Sequence, residues 1–291
     1  YGDAISQFRI FNNRQSEKRF KPFADFYKKY IQECESAMEL SANPEKVWID
    51  NIPINSENDD WSPCLSADGE LLIFSSSRAN ENLADEFGRY DNEIYYSILR
   101  KRKWNLIEAI STINTSEDDV AGGLSYDGQR LLIYKIENEN ADVYESKLIG
   151  LKWDDPVRKM GKAGNSVNTI DNETLASYDP ADIKVYYLTD GGVRKNWDIM
   201  FSGVMNRERN IWGKGQSAGH EVNTKYHEGS VYLHPDGKTM YFSSQGHNSM
   251  GGYDIFVSYV DELGHWGPPE NLGAPINTPY DDLFYSSTAS G

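Results

Sequence analysis

Cysteine is scarce in this chain. Only Cys34 and Cys64 occur among its 291 residues. One falls in a helical pattern and the other in a strand pattern, which argues against a disulfide framework or a cysteine metal knuckle. Each reads as a buried free thiol. Histidine is nearly as sparse, and His220, His227, His234, His247 and His265 show no paired zinc-site spacing. No apolar run approaches the length of a membrane span. No signal peptide heads the chain, and the opening Tyr1-Gly2-Asp3 reads as a mature or trimmed product. Basic residues are outnumbered, 29 against 45 acidic, for a net charge of −16. Residues 1–44 hold seven basic and six acidic groups, leaving 22 and 39 for residues 45–291. A surface this acidic repels phosphate backbones, so nucleic acid is not an expected partner. The charge serves solubility or an electrostatic docking face. The loop Gly246 to Gly252 lacks the Gly-Lys-Ser/Thr ending of a phosphate cradle, so no nucleotide cofactor is expected.

What the chain does have is a repeat. An apolar residue precedes an Asn, an acid follows five residues later, and a tight-turn slot lies nine residues beyond the acid. The Asn and acid pairs are Asn55 and Asp60, Asn114 and Asp119, Asn168 and Glu173, Asn223 and Glu228, and Asn277 and Asp282. Successive Asn positions lie 59, 54, 55 and 54 residues apart. The slots are Gly69, Gly128, Asp182, Gly237 and Gly291. A period of this size with β-type contents predicts a β-propeller.

Each unit carries the parts of one four-stranded blade. A strand of small residues, such as Ala121-Gly122-Gly123, suits the crowded axis. The Asp-Gly slot predicts a hairpin with positive φ at both central residues. A continuous apolar strand follows, such as Leu71-Leu72-Ile73-Phe74, covered on both faces by neighbouring blades. A third strand follows an acid (Glu93, Asp142, Asp198, Asp254), and the outer strand carries Trp104, Trp153, Trp212 or Trp266. Residues 1–44 read instead as helix. Ala4, Ile5, Phe8 and Phe11 form one stripe, and Phe23, Phe26, Tyr27, Tyr30, Ile31, Cys34, Ala37 and Met38 form a second that begins after Pro22. Both stripes need a covering partner. The expected domains are thus a helical segment, 1–44, and a propeller, 45–291.

At the propeller's ends, Val47-Trp48-Ile49 matches an outer strand and Leu283 to Gly291 an inner one. Together they predict one blade split between the two ends. The expectation is a five-bladed ring of a longer protein, its last blade incomplete here, with a six-bladed ring as the alternative.

The repeated acids are tempting as a catalytic or cation-binding ring. A residue present in every blade is more simply part of the blade, with the carboxylate accepting backbone N–H groups at the start of a strand. The Asn residues receive a similar role, as tolerant of left-handed backbone. The stretch Glu137 to Asp142 faintly resembles a calcium loop but lacks its turn glycine. Residues unique to one blade are then the candidates for binding, on loops between second and third strands. These are Arg78, Asn80 and Arg89 in blade 1, Arg194 and Lys195 in blade 3, and His247 and Asn248 in blade 4. No catalytic residue, cofactor or metal site is assigned.

The blocks Ile54-Asn55, Asp59-Asp60, Ser66-Ala67-Asp68-Gly69 and Leu72-Ile73-Phe74-Ser75-Ser76 resemble the PD40 (TolB-like, WD40-like) propeller repeat. So do His234-Pro235-Asp236-Gly237-Lys238-Thr239-Met240-Tyr241-Phe242-Ser243-Ser244 and Gly251-Gly252-Tyr253-Asp254-Ile255-Phe256. Trp266-Gly267-Pro268-Pro269-Glu270-Asn271-Leu272-Gly273 is similar to the same family. Tyr1 to Phe8 resembles the second helix of a tetratricopeptide repeat (TPR). The whole is similar to envelope proteins of Bacteroidetes-type bacteria that join tetratricopeptide helices, this propeller and an OmpA-like peptidoglycan-binding domain, the PorE-like proteins of type IX secretion among them. The resemblance implies a non-enzymatic periplasmic scaffold, associated with the outer membrane, whose partners are other envelope proteins of secretion or gliding machinery. Peptidoglycan would be reached only through an OmpA-like domain, which these residues do not contain. Blade 3 departs from the family with Asp179-Pro180-Ala181-Asp182, which predicts a wider hairpin. The alternative is a glycan-binding or glycan-cleaving propeller, given the 19 Tyr and 7 Trp.

Overall fold

A computed structural model describes residues 1–13, 23–80, 84, 86, 88–105, 107–137, 140–161, 167–191 and 195–291. Two helices precede four sheets, each sheet one blade of a mainly-β propeller; they are antiparallel except where Met160–Gly161 pairs in parallel with Ile211–Trp212. Helix α1 (Gly2–Asn13) and helix α2 (Ala24–Ala42) turn their apolar stripes toward each other. Phe8 stacks on Tyr30 at 5.3 Å and Phe11 on Tyr27 at 5.6 Å, so much of each stripe is covered by the other. The expected helix start at Pro22 lies outside the described residues. Helix α2 also leans on blade 4. The Lys29 ammonium sits 5.0 Å over the Tyr226 ring, Gln32 donates to the His247 carbonyl, and the Glu45 N–H donates to the Ala274 carbonyl.

The inner strands are Asp60–Leu65, Asp119–Leu124, Glu173–Tyr178 and Glu228–Leu233. Each pairs with a second strand: Leu71–Ser76, Arg130–Glu137, Lys184–Thr189 or Thr239–Ser244. The third strands are Glu93–Arg100, Asn140–Ile149, Asp198–Asn206 and Asp254–Tyr259. As the apolar runs predict, second strands are buried on both faces. Ile73, Leu131, Leu132, Val185 and Met240 have no exposure above the last per cent. Each inner strand is bulged within four residues of its acid, between Trp61 and Cys64, Ala121 and Gly123, Thr174 and Ser177, and Glu228 and Ser230, and Ser62 and Leu175 take positive φ. At Gly123 no side chain fits, since a Cβ there would lie 2.5 Å from the Ala176 carbonyl oxygen.

The outer strand is broken in two. A Trp-bearing piece (Lys103–Trp104, Lys152–Trp153, Ile211–Trp212, or the Val260–Trp266 bridge) pairs with the far end of the third strand. A second piece (Glu108–Ala109, Val157–Arg158, Gln216–Ser217, Glu270–Asn271) pairs nearer its start. One buried serine per blade bridges the break. Ser97, Ser146, Ser202 and Ser258 donate to the carbonyl after each Trp, at 2.6–3.0 Å. Short, interrupted edge strands offer little to a foreign strand.

Three expectations need correction. The hairpin turns use positive φ at one position only, the Gly slot, because the preceding Asp caps a four-residue turn with its side chain: Asp68 accepts from Ser66 Oγ and the Glu70 N–H. Blade 3 is no wider, since Asp182 adopts φ 62° and closes onto Asp179 as Gly69 closes onto Ser66. Finally, the two halves of the predicted fifth blade form no strands. Val47, Trp48 and Ile49 are exposed coil, Trp48 at 91%.

Residues 283–289 are extended and lie between the inner strands of blades 4 and 1. The Phe284 N–H donates to Ser230 Oγ, the Leu65 N–H to Ser286 Oγ, and the Ala289 N–H to the Ala67 carbonyl. The Leu65–Ser286 bond has the register of Leu233 N–H to Ser177 Oγ, between blades 4 and 3. Phe284, two residues after Asp282, shares the positive φ of Ser62 and Leu175.

Candidate functional site

The repeated acids act as expected at the start of each inner strand. Asp60, Asp119, Glu173, Glu228 and Asp282 each accept the N–H of the residue four earlier: Ser56, Thr115, Thr169, Thr224 and Thr278. In the last four the threonine hydroxyl donates to the same carboxylate. The Asn residues do something the sequence reading missed. None takes a left-handed φ. Asn114, Asn168, Asn223 and Asn277 reach back to the preceding blade and clamp both backbone groups of one third-strand residue: Ile94, Val143, Ile199 and Ile255. Bond lengths are 2.8–3.1 Å. Asn55 is exposed and clamps nothing among the described residues.

The acids divide by environment. Asp60 is ion-paired to Arg78 at 2.6 Å and Asp119 to Lys135 at 2.8 Å. Burial raises the Asp60 pKa, but bonds from Ser56, Ser76 and Arg78 outweigh it and leave the carboxyl below its ordinary value. Glu173 and Glu228 receive hydroxyl bonds from Thr189 and Ser244 where those blades have a cation. Burial pushes Glu173 up to about 7 and Glu228 to about 8, with the threonine bonds only partly opposing it.

The proposed binding-loop residues are not brought together. Arg78 is absorbed into blade 1, donating to Asp60 and the Ile54 carbonyl and lying 5.0 and 4.9 Å over Phe74 and Tyr95. Asn80 is half-buried and hydrogen-bonds Tyr95. Arg89 is exposed at the edge of a wide depression shared with Trp61 and Phe284. Lys195 is exposed and pairs with Asp171 at 2.9 Å, while Arg194 lies outside the described residues. The His247 ring contacts the Val222 carbonyl at 3.1 Å and packs on Phe256, leaving exposed Asn248 as its neighbour. Among the described residues no group of His, Cys, Asp and Glu could hold a metal.

A charged cluster between blades 2 and 3 escaped the sequence reading. A cavity of about 210 Å³ there is lined by Arg130, Lys147, Lys159 and Arg207 and by Asp127, Glu145 and Asp182, with Trp212 as a wall. The Lys159 ammonium, 2% exposed, pairs with Glu145 and sits 4.5 Å over the Trp212 ring. Burial brings its pKa down to about 8, against the pull of Glu145. The Tyr178 hydroxyl donates to the same Glu145 oxygen. Arg130 and Arg207 converge on one oxygen, Asp182 Oδ2. Equivalent positions at the other junctions are apolar. Tyr96 and Phe201 occupy the place of Glu145, and Leu124 and Leu233 that of Tyr178, packed with Trp153 and Trp266. The one signal available in sequence was the broken pattern, with Asp182 in a glycine slot and Glu145 in an aromatic one.

No family model and no curated protein matches the chain. Solved structures similar to it include TolB from Acinetobacter baumannii, 18% identical over 76% of this chain and 45% of that one, with a TM-score of 0.49. A glycosyl hydrolase from Bacteroides ovatus is 11% identical over 77% of this chain and 72% of that one, at 0.43. The β-propeller domain of the Trilobed protease from Pyrococcus furiosus is 12% identical over 74% and 56%, at 0.37. No activity transfers at such identities. No described helix is long and apolar enough to cross a membrane.

Proposed function

We propose that the chain is a non-enzymatic periplasmic scaffold, its propeller docking other proteins of an outer-membrane-associated envelope complex. Residues 1–44 act as a tetratricopeptide-like helical unit and residues 45–291 as the propeller unit. The observation that carries this reading is the commitment of all five repeat acids to backbone N–H groups at strand starts. Carboxylates that hold a strand start in every repeat are accounted for by the blade itself, without a hydrolase role. The resemblance to PD40 envelope proteins supports the location and, within it, a role beside type IX secretion.

The ring is five-bladed in this proposal. The segment after Asp282 takes the fifth inner position, against Ser230 and Leu65. Envelope fractions pulled down with the full-length protein, and with a form lacking residues 45–291, test the docking role. Loss of the same defined partners on deletion is expected; an unchanged partner set would refute it.

A further inference from the structure

The junction between blades 2 and 3 holds four cations and three carboxylates around one cavity, in a protein whose net charge is −16. Glu145 neutralises Lys159. Asp182 must serve two guanidinium groups through a single oxygen, while its other oxygen, Oδ1, is buried without a hydrogen-bond partner. Two guanidinium groups meeting on one carboxylate leave a surplus positive charge at the cavity, which an anionic ligand would offset. The apolar counterparts at the other two junctions show that the fold itself does not need charge here.

We propose that this cavity binds a small hydroxylated monocarboxylate of sugar-acid type, free or as the end of a glycan. The volume suits one sugar-sized body and far exceeds an inorganic ion. Its mouth carries exposed Lys147 and Asp127 and the half-exposed Arg207, while Lys159, Glu145 and Trp212 form the floor. The ligand carboxylate takes the surplus charge by pairing with the Arg207 guanidinium, whose planar fork suits a carboxylate. Ligand hydroxyl groups donate to the exposed Asp127 carboxylate at the mouth, while the buried Asp182 Oδ1 stays out of reach. The Asn210 side chain is not free for this, since it donates to the Arg158 carbonyl and accepts from the Trp212 indole.

The test is calorimetric titration of the intact chain with D-glucuronate, D-glucose, acetate and sulfate. Saturable glucuronate binding is expected, with glucose and acetate each at least about tenfold weaker, because each lacks one half of the recognised chemistry. Arg207→Gln, at a half-exposed position that leaves the fold intact, is expected to weaken glucuronate by about tenfold or more. Glucuronate-capped oligosaccharide binding as well as the free sugar would place the source at a glycan end; binding of the free sugar alone would place it in solution. No saturable glucuronate binding, equal binding of acetate or sulfate, or an Arg207→Gln variant that binds as the parent would each overturn the proposal. The result does not bear on protein docking, which is read out by the deletion of residues 45–291.

Discussion

Blades 1 and 2 and blades 3 and 4 solve one structural problem in two ways. Every repeat places a carboxylate at the start of its inner strand to hold an N–H four residues back. In the first pair the acid is Asp, and a cation from the end of the second strand or just beyond it, Lys135 or Arg78, neutralises it. In the second pair the acid is Glu, one methylene longer, and it reaches Thr189 or Ser244 instead of a cation. Burial without a counter-charge favours the protonated acid. One slot in the repeat therefore holds an ion-paired acid in blades 1 and 2 and a buried, hydroxyl-bonded acid whose pKa is pushed up in blades 3 and 4. A repeat fixes geometry, and whether a cation reaches the acid fixes its electrostatics: Ser76 faces Asp60 as Ser244 faces Glu228, but of the two only Asp60 has an Arg beside it.

The sharpest break in that comparison is Asp119→Asn. It leaves the mostly buried Lys135 ammonium beside a neutral amide, and a loss of about 3–5 kcal/mol in urea unfolding is expected. A loss below about 1 kcal/mol would mean the pair is no more than a surface contact. Asn168→Ala comes next. It strips both partners from the buried Val143 backbone and is expected to cost about 2–4 kcal/mol.

Glu228→Gln tests a hydroxyl-bonded acid. The folded chain keeps the Glu228 proton to about pH 8, whereas the unfolded chain releases it near the model-peptide value of 4.5. Between those values the folded state binds more protons, so this contribution to stability is complete below 4.5 and is lost as pH rises to 8. The glutamine variant is expected to match the parent at pH 5 and to exceed it at pH 9 by on the order of 2 kcal/mol. Thermal unfolding at the two pH values measures this, and identical pH profiles would show that Glu228 is already ionised. The smallest effect is that of Asn55→Ala, within about 0.5 kcal/mol, because its clamp is empty among the described residues. A loss matching that of Asn168→Ala would reveal a partner for it.

The blades were legible in the sequence because period, alternation and turn residues are local signals. So was the carboxylate at each strand start, since Asx-type geometry spans only a few residues. The Asn clamp was not legible. Its partner sits in the previous blade, and the tolerance of Asn for left-handed backbone offered a nearer but incorrect explanation. The serine bridge of the outer strand was hidden by its variable distance from the Trp, seven residues before Trp104 but ten before Trp212. The charged junction was the least visible. Arg130, Glu145, Lys159, Tyr178, Asp182 and Arg207 come from two repeats, and only the packing of blade 2 on blade 3 brings them together.

The Asn clamp also sets an order of assembly. Each clamp joins a third strand to a side chain 20 to 25 residues downstream, in the next repeat. A third strand is therefore held at both backbone groups only when the residues that open the next repeat are in place. Each blade depends on its successor, and removing a repeat also loosens the one before it.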